Sequence, residues 1–354
     1  MLRTVIVGAG LAGASAALWL AEHGGAVTVL EAERPAAGAS GAAAGLVNPM
    51  MGQRANPAWR FEEALAALHE TLALAGATDL FRATGVLRPA RDEAQAHHFR
   101  TRAEALPEHA AWHSPDTLAA KYPDVAAPHG ALWVPGGGSV DLAEMVTVLL
   151  RAAEARGAAV RTGMRVTGWT ETERAVSVTM VTGERIDAHH LMLALGDGFR
   201  HFSPLSALPL HRIKGQTIRL ARPDGLVDLP ALSGFGYVVP DGSALIVGSS
   251  YEHTFDDVEP HRAQSEALRA KAAQMLPALA DAAILGARAG VRVTVPRTHS
   301  PRRLPLLGPL GHRRVWVFSG LGSKGLLTVP LLVRHLPDYL ADPTRIPPEV
   351  RVPR

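Results

Sequence analysis

The sequence contains no cysteine. That excludes disulfides, thiolate zinc sites, iron–sulfur clusters, a cysteine nucleophile and any cysteinyl-linked cofactor. Lysine is scarce, with only Lys121, Lys214, Lys271 and Lys324, so the basic side of the charge balance is carried by arginine. With 36 basic residues against 33 acidic ones the formal charge is +3, too small by itself to argue for a nucleic-acid partner. No apolar run reaches the ~18 residues of a membrane span. The apolar N-terminus has the hydropathy of a signal peptide, but three spaced glycines interrupt it and a second strand pattern follows. It is expected to be the first βα unit of a cytoplasmic protein. Neither H-E-x-x-H nor G-x-S-x-G occurs, so a metal site and a nucleophilic serine are both unexpected.

What remains is a globular composition, 47% hydrophobic and 19% charged over 354 residues, long enough for roughly two domains. Leu2–Val7 reads as a strand, Gly8–Gly13 as a glycine turn, Ala14–Glu22 as a helix and Ala26–Leu30 as a second strand. A glycine-rich loop over 38–45 precedes a helix expected from about Pro57. Asp141 and Glu144 form a capping-box pattern opening another helix, with Gly157 past its end. From 159 the texture becomes short strands to 195, continuing with 216–221, 236–239 and 244–248, and is expected to form antiparallel sheet. A helix near 262–276, a strand near 286–295, another over 315–318 and a final helix over about 325–340 follow. The pattern predicts an α/β fold in which a Rossmann-like domain is interrupted by an α+β domain with an antiparallel sheet.

Gly8, Gly10 and Gly13 form G-x-G-x-x-G directly after a strand and at the start of a helix. Glu31 ends the next strand, 18 residues beyond Gly13. Spacing and context fit a dinucleotide: close backbone approach to a pyrophosphate, a helix N-terminus facing it, and an acid for the ribose hydroxyls. Flavin and nicotinamide enzymes share this motif, so it leaves the dinucleotide open.

Further segments resemble the D-amino-acid-oxidase-like flavoproteins, a family that includes glycine oxidase, sarcosine oxidase and the flavin domain of the bifunctional tRNA wobble-uridine modification enzyme. They are Gly38 to Leu46, Leu191 to Gly196, Ala289-Gly290-Val291-Arg292, Leu304 to Gly308 and Gly320 to Leu326, so the likeness spans nearly the whole chain. The resemblance implies FAD, held without a cysteinyl link and expected to be non-covalent. It divides the chain into an FAD-binding domain (1–80, 141–205 and 292–354) and a substrate domain (81–140 and 206–291).

By the same resemblance, Ser40, Gly41 and Gly45 belong to a second flavin loop, where small residues admit the cofactor and Ser40 supplies a hydroxyl. Val166 would present its backbone to the adenine, and Ala194 and Gly196 would lie against the dinucleotide. Gly322, Ser323, Lys324, Gly325 and Leu326 open the last helix and would face the flavin pyrimidine, with Lys324 stabilising the reduced cofactor. Arg292 matches the substrate-carboxylate arginine, where a planar guanidinium forks onto a carboxylate. Tyr237 matches a substrate-contacting tyrosine. Lys214-Gly215-Gln216 resembles the start of the substrate sheet and reads as structural.

The implied activity is FAD-dependent oxidation of an amine, a small secondary or D-α-amino acid, by hydride transfer to flavin N5 giving an imine, with dioxygen or another electron acceptor. Gly-Ser-Lys-Gly-Leu at 322–326 is closer to the tRNA-modifying flavin domain, which has arginine in place of Lys324, and this keeps open an aminomethyl group on tRNA or another large amine. Because the fingerprint begins at residue 5, no methyltransferase half is expected. Arg297, Arg302 and Arg303, where the family usually has an acidic residue, with His312, Arg313 and Arg314, are the residues that could meet phosphates. A nicotinamide dehydrogenase or a catalytically silent dinucleotide-binding module is the alternative of another class.

Overall fold

The computed structural model describes residues 2–311 and 314–353; His312 and Arg313 of the basic cluster lie outside the described residues. A six-stranded sheet takes its strands in the spatial order Ala159–Arg161, Ala26–Leu30, Arg3–Val7, His190–Leu193, Val315–Ser319, Leu306–Pro309. The first five run parallel and the last is antiparallel. This is the doubly wound arrangement of a dinucleotide-binding domain. The helix Leu11–Glu22 is buried along almost its whole length, sandwiched between the sheet and the helices Leu142–Glu154 and Gly325–Val333. Its all-round apolar sequence is explained by that position. Asp141 caps Leu142–Glu154 through a 3.0 Å bond from the Glu144 amide, as the sequence pattern predicts.

Two strands expected to be antiparallel, 159–161 and 190–193, are instead parallel members of this sheet. Their short apolar runs are compatible with either pairing, and only tertiary context separates them. The antiparallel part of that region is the three-stranded sheet Val166–Glu171, Val176–Met180, Arg185–Ala188. The helix expected from Pro57 begins at Phe61, because Asn56–Pro57 pairs with Met50–Met51. The final helix is two, Gly325–Val333 and Leu336–Ala341.

The second large sheet has eight strands in the order Ile284–Thr294, His211–Ala221, Ala244–Gly248, Gly236–Asp241, Ala231–Gly234, Val86–Pro89, Ala131–Val134, Ala111–His113. All pair antiparallel except Ala231–Gly234 with Val86–Pro89. The tight turn after Asp241 is as expected, with Asp241 opposite Ala244 and Gly242 at φ +58°. Helix Arg262–Ala273 packs on one face through Leu268 and Ala272, beside Ile218, Leu220 and Val247. The other face of Ile284–Thr294 meets the loop around Ala39–Ala42: a Cβ on Gly290 would lie 3.0 Å from the Ala42 methyl. There the two sheets converge. Among the described residues no helix is long and apolar enough to cross a membrane.

Candidate active site

The glycine fingerprint forms a tight cradle. Gly8 has φ +106°, and a Cβ there would stand 2.3 Å from the Ala194 carbonyl oxygen. A Cβ on Gly13 would stand 1.9 Å from the Gly8 carbonyl oxygen. These contacts pin the first strand, the helix Leu11–Glu22 and the segment after His190–Leu193 together. The Ala9 amide donates to Glu31 Oε2 at 2.8 Å and the Glu33 amide to Glu31 Oε1 at 2.9 Å, so the Glu31 carboxylate is fixed at the mouth of the cradle. Ser40 Oγ accepts from the Leu11 amide at 3.1 Å and joins the second loop to the helix start. The amides of Gly10, Ala12 and Gly13 make no hydrogen bond among the described residues, although Ala12 and Gly13 are buried. Buried amides at a helix N-terminus need an acceptor, and a pyrophosphate supplies one.

The other expected cofactor residues surround this cradle or stand near it. The Met164 amide donates 2.8 Å to the Glu31 carbonyl, which brings the segment leading to Val166 beside Glu31. Gly196 has φ +53° with nothing within 4 Å of a built Cβ, so the space beside it is open. Gly41 packs against the Ala36 carbonyl and accepts at 3.2 Å from Arg288 on the long strand. Gly45 is held elsewhere, at φ +70° against Val140, whose amide donates to its carbonyl at 2.9 Å. Gly325 packs on Leu11, so the last helix and the first begin side by side. The amides of Ser323, Gly325 and Leu326 are also without partners among the described residues. The residues present therefore fit an anionic dinucleotide spanning two adjacent helix N-termini.

Next to the Gly322–Lys324 turn is a pocket that also includes Arg292, Thr294, Ile213, Tyr251 and Arg303. Arg292 donates 2.7 Å to the Ser250 carbonyl and stacks 4.3 Å from the centre of the Tyr251 ring. Beneath it lies Gly215, where the sequence suggested only backbone packing: a Cβ would come within 2.1 Å of an Arg292 guanidinium nitrogen. The Lys324 ammonium donates to the Arg302 carbonyl. Burial, then repulsion from Arg303, Arg297 and Arg302, pulls its pKa down to about 8.

Tyr237 is not among the residues of this pocket. Its ring covers Gly248, with the hydroxyl 2.5 Å from where a Cβ would be. Burial pushes the phenol up to about 12 against the pull of the nearby Arg292. Sequence reasoning missed Tyr251, Ile213 and Thr294. Tyr251 follows a strand in a segment without periodicity, and its relation to Arg292 arises only when strands 211–221 and 284–294 pair.

Also missed was Arg88, 5% exposed. It donates to the Met50 and Gly52 carbonyls at 2.5 Å each and stacks 4.9 Å from the Phe99 ring. It clamps the chain that continues from the glycine-rich loop 38–45. Burial and the Arg91 charge pull its pKa down to about 10. No group of three potential metal ligands occurs among the described residues.

Comparison with known proteins bears on the family and the fold. The chain is 31% identical over 337 residues to the tRNA 5-methylaminomethyl-2-thiouridine biosynthesis bifunctional protein MnmC of Maricaulis maris (strain MCS10), covering 95% of this chain and 51% of that protein. It thus spans about half the length of such curated relatives. Glycine oxidase of Pseudomonas putida is 27% identical and is covered over 99% of both chains. Among solved structures, glycine oxidase from Geobacillus kaustophilus superposes with a TM-score of 0.84 at 22% identity, over 96% of this chain and 95% of that one. Iminodiacetate oxidase from Chelativorans sp. BNC1 gives 0.81 at 26% identity, with the same coverage. The profile of the FAD dependent oxidoreductase family matches residues 3–338, and the chain belongs to that family.

Proposed function

We propose that this FAD-dependent oxidoreductase oxidises a small amino acid, binding its carboxylate at Arg292. The observation that carries the reading is the pocket in which Arg292 and the start of the Gly325–Val333 helix meet. When bound, FAD supplies the hydride acceptor for the carbon bearing the amine. Gly8, Gly10, Gly13, Glu31 and Ser40 would hold its adenosine diphosphate portion, and the free amides of Ser323, Gly325 and Leu326 would hold the pyrimidine edge, where negative charge accumulates on reduction.

The chain's own residues then have limited tasks. Arg292 offers a planar fork that fixes the carboxylate and hence the orientation of the α-carbon. Its bond to the Ser250 carbonyl and its stacking on Tyr251 fix the fork in turn. Tyr237 lies outside this pocket, with its phenol against Ser249 and Ala44, and would take no part in holding the carboxylate. No residue needs to carry a proton from carbon, because a neutral amine supplies the electron push. Val166, Ala194, Gly196 and Gly41 would line or brace the cofactor side of the same site, whereas Gly45 packs against Val140.

We keep the domain division as a proposal, although two sheets cross it: the strand Ile284–Thr294 runs over the 291/292 boundary as one edge of the substrate sheet, and a small sheet pairs Gly138–Val140 and Phe81–Arg82 with Leu46–Val47. We place the protein in the cytoplasm, since its apolar N-terminal stretch is used as the central strand and helix of the nucleotide domain. Dioxygen or another acceptor would reoxidise the flavin. The relatives named for tRNA biosynthesis support a second reading, an aminomethyl group on tRNA, and Arg297 and Arg302 beside the site mouth favour it. The test is anaerobic: purified yellow protein is mixed with glycine, sarcosine and other amino acids while flavin absorbance is followed. Bleaching by amino acids supports the main reading. No bleaching by any of them, with bleaching by modified tRNA, replaces it with the second.

A further inference from the structure

Three cations line the substrate pocket: Arg292, Arg303 and Lys324. No aspartate or glutamate lines it with them. The loop behind Arg303 adds Arg297 and Arg302, and among the described residues none of these three arginines forms an ion pair or donates from its side chain. The carboxylate next in sequence to the pocket, Glu252 beside Tyr251, accepts from Ser250 Oγ at 2.9 Å.

Arg303 reaches the pocket from an unusual backbone. Its φ is +50°, a left-handed conformation that is unfavourable for a non-glycine residue. The conformation is held from both sides: the Arg303 amide bonds the Ser300 carbonyl at 2.8 Å, the Leu304 amide bonds Ser300 Oγ at 3.0 Å, and Lys324 holds the Arg302 carbonyl. Strain sustained by surrounding contacts at a ligand pocket points to a use for that side chain.

We propose that the substrate is an amino acid carrying a second anionic group, its α-carboxylate on Arg292 and its other anion on Arg303 and Lys324. This rests on the amino-acid reading above and adds the substrate's class. A single carboxylate would satisfy Arg292 and leave two crowded cations facing each other across the pocket. A second carboxylate or phosphonate offsets that repulsion and satisfies their donors. Because Arg303 and Arg292 line one pocket, the two anions belong to one small molecule. Arg297 and Arg302 stand behind Arg303 and strengthen the field without lining the pocket.

Matched pairs test it: D-glutamate against D-glutamine, and iminodiacetate against its monoamide, each differing in one charge. Anaerobic flavin bleaching gives kcat/KM, and spectral perturbation of the flavin gives binding. In the parent protein the dianion of at least one pair is expected to be favoured at least ~10-fold, the scale of one charge-assisted hydrogen bond. Arg303→Gln, retaining bound flavin, is expected to bring that ratio to within ~2-fold, while Arg292→Ala weakens both members. Equal efficiency in the parent, or a ratio that survives Arg303→Gln and Arg303→Gln/Lys324→Gln together, overturns the dianion. Salt-sensitive perturbation by a short RNA hairpin, with no discrimination within either pair, overturns it in favour of a nucleic acid. If glycine and sarcosine also fail to bleach or perturb the flavin, the amino-acid reading itself falls.

Discussion

The guanidinium of Arg292 lies directly on Gly215, so close that a Cβ on that glycine would sit 2.1 Å from a guanidinium nitrogen. The two strands carrying them pair with Ile213 opposite Arg292 and Gly215 opposite Gly290, which places Gly215 diagonally under the side chain. Gly215→Ala would therefore move the far end of one flexible side chain and leave the backbone in place. We expect it to fold and keep FAD, while KM for an amino-acid substrate rises roughly 10-fold with a smaller change in kcat. Steady-state kinetics beside a flavin spectrum checks this; an unchanged KM would show that Arg292 does not bind substrate in this position.

Arg292 itself can be tested by shape. Arg292→Lys keeps a charge but loses the fork, and Arg292→Ala loses both. With a charge-assisted bond contributing ~1.5–3 kcal/mol, alanine should cost at least about tenfold in apparent affinity, and lysine should fall between. Flavin content should equal that of the parent. Isotherms for a competitive carboxylate inhibitor measure it.

Lys324 predicts a pH effect. Its pKa, near 8 in the folded protein against an ordinary 10.5, means that the ammonium is lost as pH rises through 8. Affinity for an anionic inhibitor should fall across that step, and Lys324→Arg, which stays charged, should remove it. For stability the sign is opposite. Between about 8 and 10.5 the unfolded chain binds the proton that the folded chain has released, so folding stability gains with pH there. Parent and Lys324→Arg denaturation midpoints across this window give the comparison.

Two glycines proposed to lie against the cofactor should respond differently. Gly8→Ala adds a methyl against a main-chain oxygen at φ +106°, so loss of FAD and a stability loss above about 3 kcal/mol are expected. At Gly196, φ +53° with open surroundings is acceptable to asparagine. Gly196→Asn should fold with a melting temperature close to the parent's, and any loss should appear in FAD affinity alone. Apoprotein melting curves followed by FAD titration separate the two effects.

Arg88 holds two main-chain carbonyls in a buried site. Arg88→Ala leaves both without that donor and opens a cavity beside Phe99, for an expected loss of about 2–5 kcal/mol. The chain released is the one that follows the glycine-rich loop 38–45, and if that loop holds the flavin as proposed, FAD should also dissociate faster. Urea midpoints and the fluorescence of released flavin measure both.

The local sequence alone determined the first βαβ unit and its glycine cradle. G-x-G-x-x-G, a following helix and Glu31 are all within one βαβ unit, where short-range sterics and helix-end hydrogen bonding dictate the outcome. The capping of 142–154 and the turn after Asp241 were legible for the same reason. Arg292 and Lys324 were legible only through their family motifs, since among 32 arginines and four lysines nothing in composition marks them. Tertiary structure decided the rest. Whether 159–161 and 190–193 pair parallel or antiparallel depends on which distant strand reaches them. Gly215 beneath Arg292 depends on the register of two 11-residue strands, and Tyr251 over Arg292 depends also on the neighbouring strand 244–248. That register is fixed by the burial of a whole sheet face, a property that no single segment of the chain contains.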